Sequence, residues 1–287
     1  MENRVSSIQE RVENQLMGLV DRTLSHPVTG YKIKTLLEAT NVTLDDLKHG
    51  IIAYTLSKSE FDFGNDHYRS LVSRLTLHFH NLVEGTYHQD RHRLVSSYLE
   101  EAKPKHILDI GYGVPGSYLF SYLKKQPEAT ATLLDMYPSA EDFARILIKN
   151  EAPELLSRIN FQTYDMDSEL LPGDADAYLY LDSIEHTKRP AEYLNEMVKK
   201  SRWEAYFIFS LPISARNPNS FHYTEWLTDY EARKWIEDVK LTVVNDGIVH
   251  TNPSVDYFAE LKPGGFHNYL ALTKKITNST SKDLTIT

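Results

Sequence analysis

Apolar positions follow two rhythms along the chain, and the change comes near residue 105. Val5, Ile8, Val12, Leu16 and Leu19 recur every three or four residues, one stripe of an amphipathic helix. Thr43 ahead of Leu44, Asp45 and Asp46 reads as an N-cap with an acidic first turn, opening a helix that runs towards Tyr54. Residues 61–67 read as a loop. Leu71 to Val83, and then Leu94, Val95, Tyr98 and Leu99, predict two more helices.

From His106 short apolar runs alternate with helical segments. Strands are predicted at 106–110, 130–134, 159–163, 177–181 and 205–209. Helices are predicted at 117–124, 139–150 and 191–201, the last with Pro190 at its start. Such alternation argues a parallel sheet with helices on both faces, an α/β doubly wound architecture. Two further strands follow at 241–249 and 267–274, with Pro263, Gly264 and Gly265 between them. The chain thus divides into a helical N-terminal cap (1–102), an α/β core (103–275) and a polar, frayed tail (276–287).

Composition narrows the function classes. Of 287 residues, 31 are Lys or Arg and 40 are Asp or Glu, so the net charge is −9. That balance disfavours a nucleic-acid partner, whose phosphates are held by many cations at once. Cysteine is absent, which removes disulfides, thiolate nucleophiles and Cys-ligated zinc. No apolar signal region follows Met1, and the longest apolar runs (177–181 and 206–213) are too short for a bilayer. The expectation is a cytoplasmic protein without a membrane partner. Tyrosine is in excess, with 18 residues.

The strongest motif runs from Asp109 through Gly111, Tyr112, Gly113 and Pro115 to Gly116, between a predicted strand and a predicted helix. Glycines in that context permit a tight turn and let a ligand approach the backbone. Pro115 is expected to pre-set the first helical turn. Asp109 would crowd a pyrophosphate, so it suits a ligand with a cationic end. Asp135, nineteen residues beyond Gly116 at the end of the second strand, can take both hydroxyls of an adenosine ribose.

These motifs resemble those of the class I S-adenosylmethionine-dependent methyltransferases, over roughly residues 103–274. Asp109 with Gly111, Gly113 and Gly116 resembles that family's first motif, and Asp135, followed by Met136, its ribose-binding acid. Tyr164, Asp165 and Met166 resemble the segment that embraces adenine. Leu171 and Pro172, and then Asp174 to Asp182, resemble the lead into the fourth strand. Glu185 and His186 with Pro190 resemble the Glu-His…Pro segment after it. The resemblance implies a Rossmann-like sheet of seven mostly parallel strands with the last antiparallel. It also implies S-adenosylmethionine as cofactor, with Asp182 next to its methionine part and the helical cap as a lid.

Methyl transfer from a sulfonium is an in-line displacement, so the protein chiefly orients the partners and excludes water. His186, at the carboxyl end of the fourth strand, is the candidate base. Ring faces attract a sulfonium cation, which marks Tyr112 and Tyr87. Asp182, Glu185, His186 and His222 form an acid-x-x-acid-His turn with a distant His, as in metal-dependent 2′-O-methyltransferases of small RNA. Here the first acid is one methylene shorter and Thr187 replaces a second His, so no metal is expected. His78, His80, His88 and His92 read as a solvated helix face.

The first functional expectation is methylation of a small-molecule acceptor, a metabolite or natural-product precursor, by a possible homodimer. The alternative keeps the cofactor site but closes an azetidine ring within the methionine part, releasing methylthioadenosine. A non-catalytic S-adenosylmethionine-binding protein and an RNA 2′-O-methyltransferase rank lower.

Overall fold

In the computed structural model, residues 2–55, 64, 66–83, 87–171, 174–213, 222–250 and 267–275 are described, with backbone alone for 2–9, 12, 55 and 87. The expected tail (276–287), Pro172 and Pro263–Gly265 lie outside the described residues.

Five helices form the cap: α1 (Glu2–Ser25), α2 (Pro27–Thr40), α3 (Leu44–Thr55), α4 (His67–Leu82) and α5 (Tyr87–Ala102). The α/β part follows as β1 (His106–Ile110), α6 (Ser117–Lys125), β2 (Thr130–Asp135), α7 (Pro138–Glu151) and β3 (Ile159–Thr163). It continues with β4 (Ala177–Leu181), α8 (Pro190–Lys200), β5 (Tyr206–Ile213), α9 (Asp229–Asp238), β6 (Leu241–His250) and β7 (His267–Lys275). No described helix is long and apolar enough to cross a membrane.

Two helices were not anticipated. The sequence of α2 carries Pro27 and Gly30 and lacks a clear stripe, and it is buried by its neighbours at Ile33 and Leu36. For α9 the signal was present: Thr228 caps Glu231 N–H at 3.1 Å, and Asp229 and Glu231 make an acidic first turn.

The seven strands are ordered β3-β2-β1-β4-β5-β7-β6, and β7 runs antiparallel to both neighbours. This is the Rossmann-like, mostly parallel sheet expected from the resemblance. Strand order reverses between β1 and β4, so their carboxyl ends open a crevice at the switch point. Helices cover both faces, which explains why β1 and β4 are buried almost throughout.

Alternation along the strands sorts side chains into two cores. Ile107, Leu179 and Ile208 belong to a cluster that continues into the cap through Leu99, Tyr98, Leu75, Leu47 and Leu16. Leu108, Tyr178 and Phe207 belong to the other, beneath α8 and α9. Much of the tyrosine excess is packing there: Tyr178 stacks on Phe207 and Tyr180 on Phe209, with centroids 4.9 and 5.6 Å apart.

The interior of the cap is partly polar. Ser70, Ser73, Arg74, Thr76, His78 and His80 of α4 are buried, as are His88 and His92 of α5. The expected solvated histidine face is therefore corrected. Both helices are covered on more than one side, and α4 touches α3, α5 and α7. A buried polar stripe leaves no trace in hydrophobic periodicity.

Candidate active site at the switch point

Asp109 is fully buried in β1, beneath the glycine turn. Tyr118 Oη donates to its Oδ2 at 2.6 Å, while Oδ1 has no hydrogen-bond partner among the described residues. Burial pushes the carboxyl up to about 7, against the Tyr118 hydrogen bond, which lowers it. Gly111 and Gly113 adopt φ of 69° and 56°. Gly111 N–H donates to Leu134 O at 2.7 Å, and a Cβ there would lie 2.6 Å from Ser183 Cβ. Above Gly113 a Cβ would meet nothing within 4 Å, so the backbone is open to an approaching group. Gly116 is the N-cap of α6, which places Pro115 before the helix and not in its first turn.

Asp135, at the end of β2, accepts from Gly113 N–H at 3.2 Å and from Tyr137 N–H at 3.0 Å. Burial raises its pKa, and Arg74 opposes that rise. Arg74, nearly inaccessible in α4, stands 3.5 Å from Asp135 and donates to Gly113 O at 2.6 Å. This arginine gave no sequence signal. Tyr112 is buried and lines a narrow cleft together with Asp135, Tyr137, Glu141 and Phe161. Met136 is exposed. Asp165 caps its own turn, accepting from Asp167 N–H at 2.9 Å, and Met166 Sδ accepts from Thr187 Oγ1 at 3.6 Å.

Asp182 directly follows β4, with φ of 53°. Its carboxylate pairs with Arg91 of α5 and accepts from Ser210 Oγ and Asn268 Nδ2, each at 2.6 Å. Arg91 is a second cap cation that sequence reasoning did not single out. His92, one residue on, accepts or donates at 3.1 Å with Ser117 Oγ and packs edge-on against Tyr118, 5.1 Å between centroids. Burial holds His88 and His92 well below the usual histidine range, so both are neutral. Tyr87 opens α5, but its side chain lies outside the described residues.

Glu185 and His186 lie on the 3₁₀ turn Ile184–His186 after β4. Tyr223 N–H donates to Glu185 O at 2.8 Å and brings His222 beside His186, 4.8 Å between ring centroids. Buried polar atoms without partners among the described residues gather at this crevice: Asp109 Oδ1, Ser183 Oγ, both Glu185 oxygens and Asn268 Oδ1. Such atoms cost free energy unless something pairs with them. A wider hollow lined by Asp21, Arg22, Ser25, His26 and Pro27 lies on the cap and has none of this chemistry.

No family model and no curated protein matches the sequence. Solved structures do match its fold. An O-methyltransferase from neocarzinostatin biosynthesis, solved with S-adenosylmethionine and 2-hydroxy-5-methyl naphthoic acid, has a TM-score of 0.54 at 13% identity over 88% of this chain and 74% of its own. The cyclase SpnF gives 0.53 at 12% identity, over 81% and 94%. The N-methyltransferase NodS from Bradyrhizobium japonicum gives 0.51 at 14% identity, over 68% and all of its own chain. Strand order, switch-point crevice and these likenesses agree: the chain has the class I methyltransferase fold.

Proposed function

We propose that the chain is an S-adenosylmethionine-dependent transferase that methylates a small-molecule acceptor. The observation that carries the reading is the pair of acids flanking the glycine turn. Asp109 keeps one bare, buried oxygen beneath the turn, and Asp135 stands at the end of the neighbouring strand. Those two acceptors fit a ligand with an ammonium at one end and a ribose diol at the other.

Bound there, the cofactor supplies an electrophilic methyl group on a sulfonium. The chain's residues hold and shield it. Asp135 takes the ribose hydroxyls, Asp109 the ammonium, and Asp165 with Met166 borders the adenine. Tyr112 packs on the nucleoside side, beside Asp135. Arg74 already contacts Asp135, so the diol must share that carboxylate with it or displace it. His186, exposed at the carboxyl end of β4, is the group that takes a proton from an acceptor that must lose one. The net charge of −9 favours a metabolite over a nucleic acid as acceptor.

One observation favours a second reading. Helix α5 lies close over the turn, where a Cβ on Gly116 would be 2.8 Å from His92 Nε2. A site closed this tightly suits ring closure within the methionine part, where the α-amine displaces the thioether from the γ-carbon and loses a proton. The cyclase SpnF, of the same fold, is itself named for a reaction other than methyl transfer.

Mass spectrometry of the nucleoside product separates the two. S-adenosylhomocysteine formed only when metabolite extract accompanies S-adenosylmethionine supports methyl transfer. Methylthioadenosine formed from S-adenosylmethionine alone overturns it in favour of the ring closure.

A further inference from the structure

Four residues formed the acid-x-x-acid-His…His pattern in the sequence, and the fold separates them into two groups. Asp182 turns to Arg91, Ser210 and Asn268. Glu185, His186 and His222 come together instead, with one ligand atom from each lying within 4.8 Å of the other two.

Glu185 is only 1% exposed, yet neither carboxylate oxygen has a hydrogen-bond partner among the described residues. A buried carboxylate gains from a cation bound against it, and an imidazole nitrogen from each of two histidines lies within 4.8 Å of this one. The two rings meet edge to face, 75° between planes, so their nitrogens can converge on one point. The scaffold is fixed on both sides. Tyr223 N–H donates to Glu185 O at 2.8 Å, and Trp226 bridges to Ile213 of β5 and packs on Trp235 of α9, 5.0 Å between centroids.

We infer that Glu185, His186 and His222 form a binding site for one divalent transition-metal ion. Two imidazoles and a carboxylate suit zinc, cobalt, manganese or iron(II), which take mixed nitrogen and oxygen ligands. His186 is exposed and His222 half-buried, so the remaining coordination positions face solvent and can take water or an oxygen of a bound molecule. With an ion in place, His186 is a ligand and not the proton acceptor. The ion site stands without the cofactor reading, since its ligands are none of the residues assigned to ribose or ammonium.

His250, exposed, and His267, half-buried, with Nδ1 atoms 3.1 Å apart, are a second place where an ion could lodge. The test therefore uses the full chain carrying His250→Ala, dialysed against chelator and titrated with Co²⁺ while the visible ligand-field bands are followed. One ion per chain with tetrahedral or five-coordinate bands is expected. His222→Ala and Glu185→Gln should each weaken binding at least tenfold. If Glu185→Gln fails to fold by circular dichroism, His222→Ala decides, because its side chain lies near the surface. No Co²⁺ bands in the parent, or bands unchanged by His222→Ala, would overturn the site. Binding is read without S-adenosylmethionine, so a failure here leaves the transferase reading untouched.

Discussion

Tyr118 Oη donates to Asp109 Oδ2 at 2.6 Å, so one oxygen of this buried carboxylate is paired and the other is bare. The hydroxyl comes from the first turn of α6, nine residues further along, across the glycine turn itself. The arrangement holds a negative charge ready at a cost to the free protein. Burial raises the folded carboxyl to about 7 from 3.8, so protonation is favoured by folding. The penalty is absent below pH 4, grows as pH rises through that window, and is complete above 7.

Asp109→Asn should expose this trade. Three pKa units correspond to about 4 kcal/mol, and the unpaired amide takes back roughly 1–3 kcal/mol of that. Without cofactor, the variant should melt a few degrees higher than wild type at pH 8 and no higher at pH 4. Its affinity for S-adenosylmethionine in isothermal titration should fall at least tenfold. A variant that melts no higher at pH 8 would show that Asp109 carries no such penalty.

Arg74 and Asp135 join cap to core at the ribose end of the crevice. Removing one member of a buried ion pair leaves the other without a countercharge, which costs about 3–5 kcal/mol. Arg74→Met should therefore lower the urea midpoint strongly, and Arg74→Met with Asp135→Asn should recover part of the loss. With Asp135→Asn also measured alone, a double-variant loss equal to the sum of the two single losses would rule out coupling between them. Asp135→Ala should abolish cofactor binding, because the ribose hydroxyls would lose their acceptor. Retained affinity would overturn the assignment.

A second cap-to-core link responds to acid. Glu151, at the end of α7, accepts from His78 of α4 at 3.0 Å and from Lys32 of α2 at 2.8 Å. Burial raises its pKa, but these two partners outweigh it and bring the carboxyl to about 2 from 4.5. A depressed carboxyl stabilises the fold above its unfolded value. That stability is complete above pH 4.5 and is lost as pH falls towards 2. The shift corresponds to about 3 kcal/mol, and solvent around the part-exposed Lys32 reduces it to about 2 kcal/mol. Glu151→Gln should lose that much by urea denaturation at pH 7, and the gap should shrink to about a quarter of it at pH 2.5, just above the folded pKa. A difference that does not shrink at pH 2.5 would point to packing instead of charge.

The sequence was most legible where one local rule sufficed. Strands β1 to β5 were readable as apolar runs, and Asp109, Gly111, Gly113 and Asp135 as a spaced motif in a strand-turn-helix context. The order of β7 between β5 and β6 was not readable from periodicity, because pairing across the chain has no local signature. The family resemblance implied its antiparallel direction but not its place in the sheet. Arg74, Arg91 and the four buried histidines were missed for a related reason. Each is polar, and only the docking of α4 and α5 on neighbouring helices and the sheet makes it interior. The acid-x-x-acid-His pattern shows the opposite limit: spacing grouped Asp182 with Glu185, whereas Arg91, from a distant helix, draws Asp182 away.

Gly111 and Gly113 share a left-handed backbone and differ in what surrounds them. For a residue with a Cβ that conformation costs roughly 1–2 kcal/mol. At Gly111 the new methyl would also lie 2.6 Å from Ser183 Cβ, and overpacking adds about 1–3 kcal/mol. At Gly113 it would meet nothing within 4 Å, so strain is the whole cost. Gly111→Ala should therefore lower the melting temperature by clearly more than Gly113→Ala. Binding should rank the other way. Gly113 N–H reaches Asp135, and the open space above Gly113 is where a nucleoside held by that acid would come closest to the turn. Gly113→Ala should keep most of the fold and still lose at least tenfold in S-adenosylmethionine affinity. Thermal melts and isothermal titration on the two variants measure both halves, and unchanged affinity in folded Gly113→Ala would move the nucleoside away from this turn.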